Sequence, residues 1–137
     1  MNSQRGALSV VIPVYNEADN IEPLLIEVEN AFRSRERTEF ALEVVYVDDG
    51  STDETRDRLA ELRSRYDRLR VVRHRRNYGQ SAAILSGVRA ARHSVIATLD
   101  GRPPASGYGS YLHQHKHSRG GSCAFVVERS SPRLQVG

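Results

Sequence analysis

Apolar and polar positions alternate in two distinct rhythms over the first hundred residues. Leu8-Ser-Val-Val-Ile-Pro-Val14 is apolar and β-branched with almost no polar alternation. Such a run suits a strand covered on both faces, as in a parallel sheet. Tyr15-Asn-Glu-Ala-Asp-Asn20 then reads as a turn, and Ile21, Leu24, Leu25, Val28 and Phe32 follow at helical spacing. Asp19 or Asn20 is placed to cap that helix, with Pro23 in its first turn, where a missing N–H is tolerated. Leu42-Glu-Val-Val-Tyr-Val47 predicts a second strand ending at Asp48-Asp49-Gly50. Ser51-Thr-Asp-Glu54 has the form of a capping box, and Leu59, Leu62 and Tyr66 give the next helix its stripe. Leu69-Arg-Val-Val-Arg73 predicts a third strand, and Asn77-Tyr-Gly-Gln80 a turn. Ala82, Ala83, Leu85, Val88 and Ala91 mark a small-residue helix, and Val95-Ile-Ala-Thr-Leu99 a fourth strand that stops at Asp100. The order β-α-β-α-β-α-β predicts an α/β fold with a mostly parallel sheet and right-handed crossovers.

Beyond Asp100 neither rhythm continues. Residues 101–122 carry Gly, Pro, Ser, Tyr and His without a period, and only Cys123-Ala-Phe-Val-Val127 reads as a possible strand. The rest of the tail reads as loop or disorder. A fourth strand with no later strand beside it would present an apolar edge, which predicts aggregation or dimerisation.

Charge follows the same division. The formal net charge of +3 would suggest nucleic acid if it were spread evenly. Residues 1–100 hold fifteen arginines against sixteen carboxylates. In the tail, Arg102, Lys116, Arg119, Arg129 and Arg133 face Glu128 alone. The basicity is therefore scattered through a segment with no helical face, and no nucleic-acid partner is expected. One cysteine, Cys123, excludes a disulfide framework or a cysteine-cluster zinc site. His113, His115 and His117 have no scaffold around them and read as an accidental cluster rather than a metal site. No apolar run approaches the ~18 residues that span a bilayer, and Met1 does not open a signal peptide, so a cytoplasmic location is expected.

Ligands of open α/β sheets bind outside the carboxyl ends of the strands. The polar residues there are Tyr15-Asn16-Glu17, Asp48-Asp49, Arg75-Arg76-Asn77 and Asp100. An aromatic ring, carboxylates that accept from base N–H or ribose hydroxyls, and nearby arginines suit a nucleotide. The competing reading makes Asp48 and Asp49-Gly50 simple turn chemistry. There is no Gly-x-Gly-x-x-Gly and no Gly-Lys-Ser/Thr. A dinucleotide fingerprint and a P-loop are thus unsupported, and the missing glycine-rich loop also weighs against a nucleotidyltransferase.

Four segments, Val10-Val-Ile-Pro-Val-Tyr-Asn-Glu17, Val47-Asp-Asp-Gly-Ser-Thr-Asp53, Arg76-Asn-Tyr-Gly-Gln80 and Ala97-Thr-Leu-Asp-Gly101, occur in that order. Together they closely resemble family 2 glycosyltransferases of the GT-A fold. The nearest branch is the polyprenyl- and dolichyl-phosphate hexosyltransferases, and the resemblance covers about residues 7–101. It implies transfer of a hexose from a nucleotide sugar of the UDP-glucose or GDP-mannose type to a polyprenyl phosphate. It also implies that Pro13, Tyr15 and Glu17 cradle base and ribose. Asp48 and Asp49 match an acidic pair, one member of which holds the base, and Asn77 and Gly79 match the turn closing the pocket. Asp100 matches the first residue of an Asp-x-Asp motif that binds Mg²⁺ or Mn²⁺ in the family.

The departure falls at that motif, where Arg102 stands in the place of the second Asp. Guanidinium offers no lone pair to a cation, so metal binding is expected to be weakened or lost. It can instead pair with a diphosphate directly. No segment resembles the family's acceptor half, and no catalytic residue is assigned. A lipid phosphate is already ionised, which relaxes the need for a base but not for positioning. One reading covers both departures. GGC GAC CTC CAG encodes Gly-Asp-Leu-Gln, and one G inserted in the first codon gives GGG CGA CCT CCA G, which reads Gly-Arg-Pro-Pro as at 101–104. The expected division is therefore a donor-binding half at 1–101 and an irregular, out-of-frame tail at 102–137. Such a chain would be impaired in transfer; the alternative is a non-catalytic nucleotide-binding fragment or a product without function.

Overall fold

A computed structural model describes residues 6–33 and 41–99, together with the backbone of 125–128. Its elements run β1 (Ala7–Val14), α1 (Ile21–Arg33), β2 (Ala41–Asp48), α2 (Thr55–Arg65), β3 (Leu69–Arg73), α3 (Gln80–Ala90), β4 (Val95–Thr98) and β5 (Phe125–Glu128). The sheet order is β3-β2-β1-β4-β5. The first four strands are mutually parallel, as the alternation of strand and helix predicts. Chain order reverses direction between β1 and β4, which makes their carboxyl ends the switch point of the sheet.

The apolar runs of β1 and β2, each interrupted by a single polar residue, Ser9 and Glu43, before β2 ends at Asp48, are explained by helices on both faces. Val10, Ile12 and Val14 pack with Leu24, Leu25 and Val28 of α1 and Leu59 and Leu62 of α2. Val11, Val45 and Val47 face the other way, against Ala83 of α3. The small residues of α3 let it approach closely: a Cβ on Gly87 would lie 2.3 Å from Val11 Cγ1 and 2.9 Å from Val47 Cγ2. Leu85, one of the residues that mark this helix in the sequence, is 49% exposed. The true contact line runs through Ala83 and Gly87, four apart on one face.

Two expectations are corrected. No capping box forms, because Glu54 makes no side-chain cap hydrogen bond and Ser51 Oγ accepts from the Asn16 N–H at 2.9 Å. The start of α2 is held by Asp53, whose Oδ1 accepts from the Thr55 N–H at 2.9 Å. The apolar edge expected on β4 is covered: β5 pairs antiparallel with it, from Val95↔Glu128 to Thr98↔Phe125. Backbone ladders make few demands on sequence beyond a β-prone run such as Phe125-Val-Val. The other edge strand, β3, is short and carries Arg70 and Arg73, both features that discourage edge pairing. The remainder of the predicted irregular tail lies outside the described residues.

At the amino end of the sheet a buried carboxylate ties three strands to the segment that follows α3. Glu43 accepts from Ser9 Oγ at 2.7 Å, Arg70 Nη1 at 2.9 Å and the Arg92 N–H at 2.9 Å. Burial pushes its carboxyl up, but the Arg92, Ser9 and Arg70 bonds outweigh that and hold it below the ordinary 4.5. A depressed carboxyl adds stability above its unfolded value that is lost as pH falls through its folded one. Glu43→Gln should cost about 2 kcal/mol near neutral pH. Its urea midpoint should also fall less than the parent's when pH is lowered from above 4.5 to below it. Parallel pH profiles for the two proteins would contradict this.

Candidate functional site

The register of the parallel strands brings three loops to one level. Val14 lies beside Asp48, and Asp48 beside Arg73, so the segments that follow leave the sheet together. Strand residues alternate the side to which their backbone groups point. Val11 O accepts from Leu99 on the β4 side, whereas Val14 O accepts from Asp49 on the β2 side. The nitrogen of Pro13 therefore faces β4, just where that ladder ends. With no N–H, Pro13 has no backbone donor to offer on that side.

Asn16 latches the first loop to the second. It adopts φ 52°, a conformation Asn tolerates better than most residues. Its Oδ1 accepts from the Thr52 N–H at 2.8 Å and the Asp53 N–H at 3.3 Å. The Glu17 N–H donates to Thr55 Oγ1 at 3.0 Å. Asp53 joins the same latch. Slight desolvation pushes its carboxyl up, but bonds from the Thr55 hydroxyl, the Thr55 N–H and the Ala18 N–H hold it below 3.8. Tyr15 is left pointing outward, 42% exposed, and Glu17 Oε2 accepts from Asn20 Nδ2 at 2.6 Å.

Asp48 and Asp49 are both buried, and each is satisfied differently. Asp48 Oδ1 accepts from the Ser51 N–H at 2.9 Å. Asp49, 4% exposed, gathers the third loop. Its Oδ1 meets His74 Nδ1 at 2.8 Å and the Tyr78 N–H at 2.9 Å, and its Oδ2 takes the Gly79 N–H at 2.9 Å. A carboxylate presents about four acceptor positions, so each retains capacity beyond these bonds. Turn chemistry and ligand chemistry are thus compatible in Asp48-Asp49-Gly50. Gly50 has φ +76°, and a Cβ there would lie 2.3 Å from Arg76 C and 2.5 Å from Asn77 N. The third loop rests directly on it.

Asn77 Oδ1 accepts from the Gly79 N–H at 3.0 Å, so both residues belong to the turn that opens α3. Tyr78 between them is 56% exposed, with the Arg76 guanidinium 5.6 Å from its ring centroid. The structure thus brings Pro13, Tyr15, Glu17, Asp48, Asp49, Asn77 and Gly79 to one end of the sheet. Asp100 and Arg102 lie outside the described residues. Among the described residues no group of three or more His, Cys, Asp or Glu is arranged to hold a metal ion. The sequence reading missed Thr55, His74 and Ser86. Only His74 carried a signal, as the first polar residue past the end of a strand.

Comparison with known proteins gives consistent relationships. The profile described as Glycosyl transferase family 2 matches residues 9–101. A dodecaprenyl-phosphate galacturonate synthase of Rhizobium johnstonii is 41% identical over 98 residues, covering 69% of this chain and 27% of that protein. An undecaprenyl-phosphate 4-deoxy-4-formamido-L-arabinose transferase of Pseudomonas paraeruginosa is 46% identical over 95 residues, covering 68% and 27%. The chain therefore spans about a quarter of the length of these relatives. Among solved structures, the mannosyltransferase PcManGT of Pyrobaculum calidifontis, in complex with GDP-Man and Mn²⁺, superposes with a TM-score of 0.62 at 28% identity. That match covers 75% of this chain and 30% of PcManGT.

Because Gly50 lies against the third loop in a left-handed conformation, Gly50→Ala should cost about 2 kcal/mol or more. It should also speed amide exchange at Tyr78 and Gly79 relative to that at Val44 in the sheet. Unchanged stability and unchanged exchange would show that the loops are not in contact.

Proposed function

The chain belongs to glycosyltransferase family 2, and from that membership we propose that residues 1–101 are the donor-binding half of a hexosyltransferase. The donor is a nucleotide sugar of the UDP-glucose or GDP-mannose type, and the acceptor is a polyprenyl phosphate. The observation that carries this reading is the set of three loops gathered around Asp48 and Asp49 at the carboxyl end of the sheet. The names of the two curated relatives support the acceptor class, and the GDP-Man complex of PcManGT supports the donor class. In transfer, the bond from the sugar's anomeric carbon to the diphosphate breaks as a bond to the acceptor phosphate forms. The nucleoside diphosphate leaves with the electron pair.

In this reading Asp48 or Asp49 accepts from the base, Tyr15 packs on the nucleoside, and Glu17 faces the ribose. Pro13 joins them in cradling base and ribose, and Asn77 and Gly79 close the pocket. The donor set at the expected metal position does not fit a divalent ion. Asp100 offers one carboxylate, and Arg102 brings a positive charge where a second carboxylate is needed. We therefore assign no step to Mg²⁺ or Mn²⁺ in this chain. Among the described residues no helix is long and apolar enough to cross a membrane. The polyprenyl acceptor places the reaction at a membrane surface, and we propose its cytoplasmic side.

As it stands, the chain is proposed to bind donor with transfer impaired, residues 102–137 being an out-of-frame tail. Calorimetry should detect UDP or GDP binding that Mg²⁺ or Mn²⁺ changes by less than about twofold, with no hexose passing to polyprenyl phosphate. Arg102→Asp should introduce a metal dependence of binding. Affinity for neither nucleotide would refute the donor-site reading, and turnover would refute the impairment. Reading the coding DNA past the Asp100 codon should reveal Asp-Leu-Gln in an adjacent frame, and its absence would refute the frameshift.

A further inference from the structure

His74 makes two short hydrogen bonds that the loop motifs do not account for. Its Nδ1 lies 2.8 Å from Asp49 Oδ1, and its Nε2 lies 2.7 Å from Ser86 Oγ in α3. Chemistry fixes the direction of the first bond. An ionised carboxylate only accepts, so Nδ1 carries the hydrogen, and in the neutral ring Nε2 accepts from the Ser86 hydroxyl. The His74 side chain is 13% exposed, and its main chain is anchored as well, its N–H donating to Asp48 O at 2.8 Å. Its ring meets that of Tyr78 edge-on, with centroids 5.5 Å apart at 85°.

Carboxylate, imidazole and hydroxyl in this order also describe a relay that activates a nucleophilic serine. The surroundings of Ser86 argue against that use. It stands inside α3, where backbone N–H groups are bonded to the helix's own carbonyls and cannot converge on an oxyanion. The hydroxyl therefore serves the ring, and the ring serves Asp49. The terminal torsion of an Asp side chain is broad and nearly two-fold, so a carboxylate plane is not fixed by its own rotamer. Here His74 and the Tyr78 N–H share Oδ1 while the Gly79 N–H takes one position on Oδ2, which leaves capacity for a further donor.

We propose that His74 is a positioning residue of the nucleotide site. Braced on α3 by Ser86, it fixes the carboxylate plane of Asp49 and the ring of Tyr78, and so sets affinity for a nucleoside diphosphate that it does not touch. This rests on the donor-site reading above. It extends that reading by making α3, through Ser86, part of what determines affinity.

The test uses the full chain and the variants His74→Leu, His74→Asn and Ser86→Ala. UDP and GDP binding is followed by calorimetry, and the amide resonances of Tyr78 and Gly79 by nitrogen-15 NMR of the free protein. His74→Leu should weaken binding about tenfold, the scale of one hydrogen bond to a charged group. It should also move both amide resonances, although neither amide bonds to His74. His74→Asn should recover most of the affinity, because its Nδ2 can donate to Asp49 where Nδ1 did. Ser86→Ala leaves the ring in place and should lose a smaller part. Glu43→Gln, at the opposite end of the sheet, should lower stability while leaving affinity unchanged, which separates positioning from general destabilisation. Wild-type affinity with unmoved amides in His74→Leu would overturn the proposal, as would equal weakening by His74→Leu and His74→Asn. If the unmodified chain binds neither nucleotide, the donor-site reading fails. The amide shifts of the free variants then decide the positioning role alone.

Discussion

A carboxylate taken out of water must be supplied with hydrogen-bond donors, and Asp49 takes its donors from a single loop. Burial makes each of those bonds costly to leave unmade, so the loop that carries them has little freedom to be elsewhere. His74, Tyr78 and Gly79 are drawn onto one side chain, and the loop's backbone comes down onto Gly50. The first loop is fixed differently, by an exposed side chain: Asn16 Oδ1 accepts from the Thr52 and Asp53 N–H groups. Parallel register makes this possible, since it delivers the strand ends to a common level.

Glu43 plays the matching part at the other pole of β2. Between Glu43 and Asp48-Asp49 the one polar side-chain group is the buried Tyr46 hydroxyl, which donates to Ile21 O at 2.6 Å, and the charged groups are gathered at the two ends. The helix α3 is held at both poles too. Arg70 reaches the carbonyl of Ala90 at its carboxyl end, while Asp49 takes the Gly79 N–H at its amino end. The result is a rigid frame whose exposed groups, Tyr15 and Tyr78, are set by polar contacts beneath them. That separation of frame from contact surface lets one fold present different ligand-facing residues, and the chemistry has to be argued from the site itself.

Much of the frame was legible in the residues. Apolar runs at Leu8–Val14 and Leu42–Val47, with only Ser9 and Glu43 interrupting them, announced strands covered on both faces, and the parallel sheet followed. The loop motifs likewise named residues that the fold gathers at the carboxyl end of the sheet. What was not legible depended on contacts between distant positions. Leu85 fitted a helical period, yet the contact line of α3 passes through Gly87, which hydrophobic spacing does not count. Ser51 and Glu54 had the spacing of a capping box, but Asn16, 35 residues away from Ser51, competes for its hydroxyl. Nothing local marks Ser86 as the partner of His74, or Glu43 as the centre of a cluster. A strand at Phe125–Glu128 was anticipated only as a possible run, and its pairing with β4 was not.

Binding of a nucleoside diphosphate at the carboxyl end of this sheet, through the loops organised by Asp48 and Asp49, is what we propose for this chain. Its most direct test is a map of amide chemical-shift changes as UDP and then GDP is titrated into the isotopically labelled chain. Saturable changes confined to residues 15–17, 48–51 and 74–79 are expected, with the Glu43 pole unmoved. Changes centred on the Glu43 pole, or no saturable change with either nucleotide, would contradict it.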